Sequence, residues 1–457
     1  MKKILYPLFS LLPFVSNAQT PIDKLHTAFE TLEKEASYQQ AAISFTLIDT
    51  KTGKILFDKN KNLALASASI LKTFTTASAL HYLGDEFRYH TNITFKGRIH
   101  NHVGSGQLII YGSGDPSLGS DRFEETQPEL IKKQLVSALH NMGIDTLKGS
   151  IRIVSNLFTD EGINKAWLEE DVANYYGAGI YPLNWKENKF EISMTPSGNS
   201  FDISHNTAGY NNQTDFCVEL IPKDGATTED AFAFFEKNKS CRYAIRGVLS
   251  NKENIQRMQL ARLDPAIDFT NELTSLLQDE LHFQQNDSVY ASPEKNVTTI
   301  LSPPLSKLVY WCNQKSLNLY AEAFCKTIAA HRHKKGSWTT GIADMLQFAA
   351  ARNIHTNGIA LKDACGLAPE NKITTSLLAQ MLRHNVKETW YPVFYESLPV
   401  INDLHMKSGY IGGTRSYAGY IKLKDGRNAC FAFILHNYSC TPKEAKLKMF
   451  ELLDLLK

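Results

Sequence analysis

The 457-residue sequence has no excess charge of either sign, no run of Lys or Arg, no internal repeat and no low-complexity stretch. With 49 basic and 47 acidic residues it offers no electrostatic footprint for nucleic acid, which takes a basic face to neutralise phosphates. Without a repeat, a chain of this length reads as two or three ordinary structural units of about 150 residues each. A long apolar run is also missing. The stretch at residues 4–15 is shorter than the about 20 residues that span a bilayer, and residue 19 is Gln rather than a lipidatable Cys. That stretch follows Lys2 and Lys3 and leads into Asn17-Ala18-Gln19, the pattern of a secretory signal peptide cut near Ala18. Its removal leaves 47 residues of each sign, so the expected mature chain is neutral, exported and without a transmembrane anchor.

Cysteine is scarce for a secreted scaffold: seven residues, an odd number, leave at least one thiol unpaired. Cys217 and Cys241 bracket one polar segment and form the expected pair. Cys312 and Cys325 fall in helical patterns, Cys365 in a loop and Cys430 in a strand, where each reads as a small buried residue.

What is present is an α/β pattern built from both ends. Residues 43–58 alternate as a hairpin around Asp49-Thr50-Lys51-Thr52-Gly53, and an amphipathic helix is expected from about Ser69 to Gly84. Residues 85–291 are mostly short strands and turns with a helix near 128–142, and a nested lobe is expected near 190–250. Helical patterns return at 267–282, after Pro303-Pro304, and at 316–330, 340–352 and 374–385. A strand at 403–411, a hairpin over 416–435 around Asp425-Gly426 and a helix at 443–457 close the chain. The expected domains are a sheet-plus-helix unit from 19–84 and 292–457, with 85–291 inserted.

Three short stretches carry chemistry. Ser69 and Lys72 stand at i and i+3 on one helix face, so the amine reaches the hydroxyl. A serine needs such a base, and an amine becomes one when burial disfavours its charged form. The helix N-terminus adds its positive dipole end for a developing oxyanion. Ser316 and Asn318 lie in a connection between two helical patterns, where short polar side chains also commonly serve as capping turns. Lys407, Ser408 and Gly409 follow one another on a strand whose edge suits an extended peptide.

In this order, Ser-x-x-Lys, Ser-x-Asn and Lys-Ser-Gly form the combination of penicillin-binding proteins and β-lactamases. The long gap between Lys72 and Ser316 resembles the class C low-molecular-mass penicillin-binding proteins, the D-alanyl-D-alanine carboxypeptidase/endopeptidase family. Phe87-Arg88, Gly114-Asp115-Pro116, Trp167 with Asp171 and Tyr175, and the stretch 362–371 also match. The resemblance implies a transpeptidase-like domain, a periplasmic location, peptidoglycan stem peptides as substrate, β-lactams as covalent inhibitors, and neither metal nor cofactor. It further implies that Ser69 is the nucleophile, Lys72 its base, Ser316 the proton relay and Asn318 a ligand of the substrate amide. Lys407 would supply positive potential, Ser408 would bind the terminal carboxylate, and the N–H groups of Ser69 and Tyr410 would form the oxyanion hole, with Gly409 beside them.

The sequence departs from the family in three places: Ser408 replaces the usual Thr, 363–371 reads DACGLAPEN, and 410–419 is Gly-rich. A serine β-lactamase and a catalytically weak wall-binding scaffold are the alternatives. Three further stretches resemble sites and are read otherwise. Lys51-Thr52-Gly53 repeats the third motif in a turn, GSGDPSLG at 112–119 lacks the lysine and helix of a phosphate loop, and His331-x-His333 is expected in an exposed loop with no third metal ligand.

Overall fold

The computed structural model describes residues 20–205, 210–211, 214–236, 241–252, 254–287 and 291–457. The signal-peptide reading at 1–18 lies outside the described residues. The two terminal hairpins meet in one six-stranded antiparallel sheet. Its order is Val400–Ile401, Leu404–Ile411, Thr414–Lys422, Asn428–His436, Ala42–Asp49 and Ile55–Lys59. Ala42 lies opposite His436 and Asp49 opposite Ala429, so among the described residues the first strand is zipped along its whole length to the last.

Both faces of this sheet are covered, which explains the almost unbroken apolar run of Asn428–His436. Phe431, Phe433 and Leu435 point to one side, against Leu25 and Phe29 of a helix at Pro21–Leu32 and Met449 and Leu453 of a helix at Pro442–Asp454. Cys430, Ala432 and Ile434 point to the other, against the helices that carry the site. The Pro21–Leu32 helix has no counterpart in the sequence reading, although its capping box, Thr20 with Asp23, is visible there.

The helix expected to be amphipathic after Ser69 spans Leu71–Leu83, and every residue from Leu71 to Leu80 is buried. It has no wet face. Thr73, Thr76 and Ser78 satisfy their hydroxyls on the carbonyls of Ile70, Lys72 and Phe74, so apparently polar positions are self-satisfied inside the core. Asn318–His333 is likewise buried from Leu319 to Ala329. His331 and His333 end this helix rather than lying in a loop, and His333 Nε2 sits 3.0 Å from Asp344.

Between the two halves, a five-stranded sheet runs Gln284–Gln285, Thr146–Val154, Val103–Tyr111, His90–His100 and Glu294–Leu301. Helices Pro128–Asn141 and Pro265–Leu281 bury Leu135, Leu139, Leu273 and Leu277 with it. Glu294–Leu301 pairs with His90–His100, so it belongs to this sheet although the sequence reading assigned 292 onward to the terminal unit. A lobe nested within the insertion holds two three-stranded sheets from Lys189 to Ala261 around Ile192, Tyr243 and Leu260. Cys217 and Cys241 are joined in it by a disulfide. Among the described residues no helix is long and apolar enough to cross a membrane.

Two of the look-alike stretches are turns. Asp49 Oδ1 accepts from the N–H groups of Lys51 and Thr52, and Gly53 takes φ +77°. In GSGDPSLG, Gly114 takes φ +80° and Asp115 accepts from both the N–H and the hydroxyl of Ser117.

Candidate active site

Ser69 lies half-buried in a 3-10 turn, Ala68–Ile70, that runs straight into Leu71–Leu83. The turn is strained: Ala68 holds φ +48°, which costs a residue with a Cβ on the order of 1 kcal/mol or more. Its surroundings hold it in place. Ser416 Oγ donates to the Ser67 carbonyl at 2.6 Å, and Gly366 fits so closely that a Cβ there would stand 2.0 Å from the Ala68 oxygen.

Lys72 is fully buried and its ammonium has three partners. Nζ donates to Ser69 Oγ at 3.0 Å, Asn318 Oδ1 at 2.6 Å and the Cys365 carbonyl at 2.8 Å. Two of these can only accept, so a neutral amine would spend both its N–H bonds on them and turn its lone pair to Ser69. The three-partner cage therefore orients a base on the hydroxyl.

Ser316 and Asn318 stand where two helices, Leu305–Gln314 and Asn318–His333, join. Ser316 holds φ +55°, a second strained residue with a side chain. Asn318 is held from both ends of its amide, since Nδ2 donates to the Tyr176 carbonyl at 2.7 Å while Oδ1 accepts from Lys72. One amide hydrogen is left for a ligand.

The strand Leu404–Ile411 forms the opposite wall. Gly409 lies so close to the serine turn that a Cβ would meet Ser416 Oγ at 2.3 Å and Ser69 N at 2.9 Å. Lys407 is buried, donates to the Ser408 carbonyl at 2.9 Å, and is pushed down to about 7 by desolvation and by the neighbouring Lys72. Tyr410 is exposed on the rim.

A cleft of about 710 Å³ joins these elements; Ser69, Ser316, Asn318 and Tyr410 line it, with Lys72 and Lys407 buried behind. Ser408 is half-buried and does not line it. The insertion supplies the far wall through Asp171, Tyr176, Glu187 and Phe232. Burial raises the Asp171 carboxyl to about 6, against a hydrogen bond from Tyr176. Glu187 accepts from Ser120, Arg122 and Tyr320 and ties the insertion to the Asn318 helix.

Nothing in the sequence marks the Cys365 carbonyl as a group of the site, because a backbone acceptor leaves no residue-type signal. DACGLAPEN departs from the family pattern, yet this loop is built tightly. Asp363 accepts from Gly366 N, Ala368 N, Asn371 Nδ2 and Trp167 Nε1, which fixes where the Cys365 carbonyl points. Trp167 joins the insertion to that loop, as Asn164 does through the Lys362 carbonyl just before it.

Known proteins resemble this chain over most of its length. The Haemophilus influenzae D-alanyl-D-alanine carboxypeptidase DacB is 20% identical over 433 residues, covering 89% of this chain and 88% of that one. A penicillin-sensitive carboxypeptidase A from Dictyostelium discoideum is 25% identical over 422 residues, covering 84% and 80%. The crystal structure of penicillin binding protein 4 from H. influenzae superposes with a TM-score of 0.79 over 94% of this chain and 98% of that one, at 19% identity, and so shares the fold. The model of the D-Ala-D-Ala carboxypeptidase 3 (S13) family matches residues 28–456, and the chain belongs to that family.

Proposed function

We propose that this chain is a penicillin-sensitive serine DD-peptidase of peptidoglycan, acting as carboxypeptidase on terminal D-Ala–D-Ala or as endopeptidase on D-Ala cross-links. The observation that carries the reading is the cage around Lys72, whose only hydroxyl partner among the described residues is Ser69. In the proposed reaction Ser69 Oγ bonds to the penultimate D-Ala carbonyl carbon while Lys72 takes its proton. The C–N bond then breaks, and the proton passes through Ser316 to the leaving amine. Water hydrolyses the resulting ester. Asn318 holds the substrate amide with its remaining N–H, Lys407 and Ser408 attract the terminal carboxylate, and the N–H groups of Ser69 and Tyr410 stabilise the oxyanion. The Ser408 assignment rests on its place in the motif.

The inserted region, 85 to about 301, acts in this reading as the wall that receives the stem peptide. The charged, apolar and small-residue segments of 1–18 support export to the periplasm with cleavage near Ala18. The β-lactam complex of the H. influenzae protein supports β-lactams as covalent inhibitors of this chain.

Release of D-alanine from a pentapeptide ending in D-Ala–D-Ala tests the reading. Release by the native chain and none by Ser69→Ala is expected. Absence of release from the native chain, together with no cleavage of D-Ala cross-links in purified sacculi, defeats it in favour of a vestigial scaffold, and rapid turnover of a chromogenic cephalosporin points instead to a β-lactamase.

A further inference from the structure

Glu322 lies beside the loop that carries the Cys365 carbonyl. It is fully buried, and desolvation, followed by the charge of Asp363, raises its carboxyl to about 7. Its Oε1 accepts from Ala364 N at 3.0 Å and its Oε2 from Trp338 Nε1. Ala364 is the residue before Cys365, whose carbonyl accepts from Lys72. Thr75, on the Lys72 helix, donates to the Ala364 carbonyl at 2.6 Å, so this short backbone segment is gripped from two helices.

Glu322 follows Asn318 by four residues on one helix, and i and i+4 share a face. The same helix therefore sets one acceptor of Lys72 directly, through Asn318, and a second indirectly, through the Ala364–Cys365 segment. The geometry points to Glu322 as a positioning residue for the general base Lys72, acting through the Cys365 carbonyl. This rests on the reading of Lys72 as base given above.

The ionised carboxylate is the form that matches its partners, since both oxygens receive N–H donors. Protonation removes acceptor strength from the Ala364 N–H and relaxes the carbonyl that aligns Lys72. The titratable groups facing Glu322 are Asp363 and Cys365 from the loop, Cys325 and Lys326 from its own helix, and Cys312 from the preceding helix. Asp363 raises the carboxyl, and the hydrogen bonds from Cys365, Trp338 and the Ala364 N–H oppose that. Lys407 titrates in the same range but acts on the alkaline side, where it loses its charge.

The experiment is stopped-flow acylation by benzylpenicillin across pH 5–9, which separates pre-covalent affinity from the acylation rate constant. The native chain is expected to slow as pH falls below about 7, following Glu322. Glu322→Gln is expected to acylate at least about tenfold more slowly at pH 8, to keep its affinity within about twofold, and to lose the acid limb. Trp338→Phe removes one donor from the carboxylate, and is expected to move that limb to higher pH; it keeps the test alive if Glu322→Gln does not fold. A Glu322→Gln rate close to native, or a slower rate with the acid limb intact, overturns the proposal, as does an unmoved limb in Trp338→Phe. A native chain that is not acylated at all would instead remove the Lys72 reading itself.

Discussion

Gly409 and Lys407 show how single residues set the chemistry. Gly409 is required by space: a methyl there must displace Ser416 Oγ or the Ser69 backbone. Gly409→Ala is expected to lower the acylation rate about 10²–10³-fold by spoiling the geometry around Ser69 N, measured by penicillin labelling at fixed time. Lys407 illustrates the opposite bargain. Its ammonium is buried, so the folded chain releases a proton near pH 7 that the unfolded chain holds to its ordinary 10.5. The unfolded state therefore binds more protons between those values, and stability rises with pH across that window. Lys407→Met is expected to raise the melting temperature at pH 6, with a smaller gain at pH 9, while acylation collapses. A variant destabilised equally at both pH values would refute the burial argument.

The strand Asn428–His436 is the element on which both cores depend, since alternate residues serve opposite faces. Phe433→Ala removes a fully buried ring that packs on Phe29 and Phe45, and is expected to cost about 3–5 kcal/mol in urea unfolding. Much at this scale was legible. The terminal hairpins, the helices after Pro304 and the strand with Lys407 all have clear periodicity, and the three motifs fall on the elements the reading gave them. Other features were not. The helix after Ser69 is buried on all sides, so its Thr and Ser residues suggested a wet face that does not exist. Glu294–Leu301 looked like the start of the terminal unit because pairing with a strand 200 residues earlier leaves no local mark. The Cys365 carbonyl was invisible because the main chain is the same at every position.

For the molecule as a whole, the cleft is a joint product: one wall comes from the terminal sheet and helices, the other from the insertion. The nested lobe has its own core and its own disulfide, separate from the machinery around Lys72. Replacing Cys217 and Cys241 together by Ser is expected to weaken that lobe by about 3 kcal/mol, seen as faster proteolysis between 189 and 261, with penicillin acylation unchanged. Loss of acylation in that variant would mean that the lobe holds the catalytic geometry and does not only border the cleft.

The central claim is that Lys72 activates Ser69 inside a cage of acceptors. Mass mapping of the penicilloyl adduct tests it most directly. The account predicts a single adduct on the peptide bearing Ser69, absent in Ser69→Ala and reduced at least about a hundredfold in rate in Lys72→Ala. An adduct on another residue, or undiminished labelling without Lys72, would contradict it.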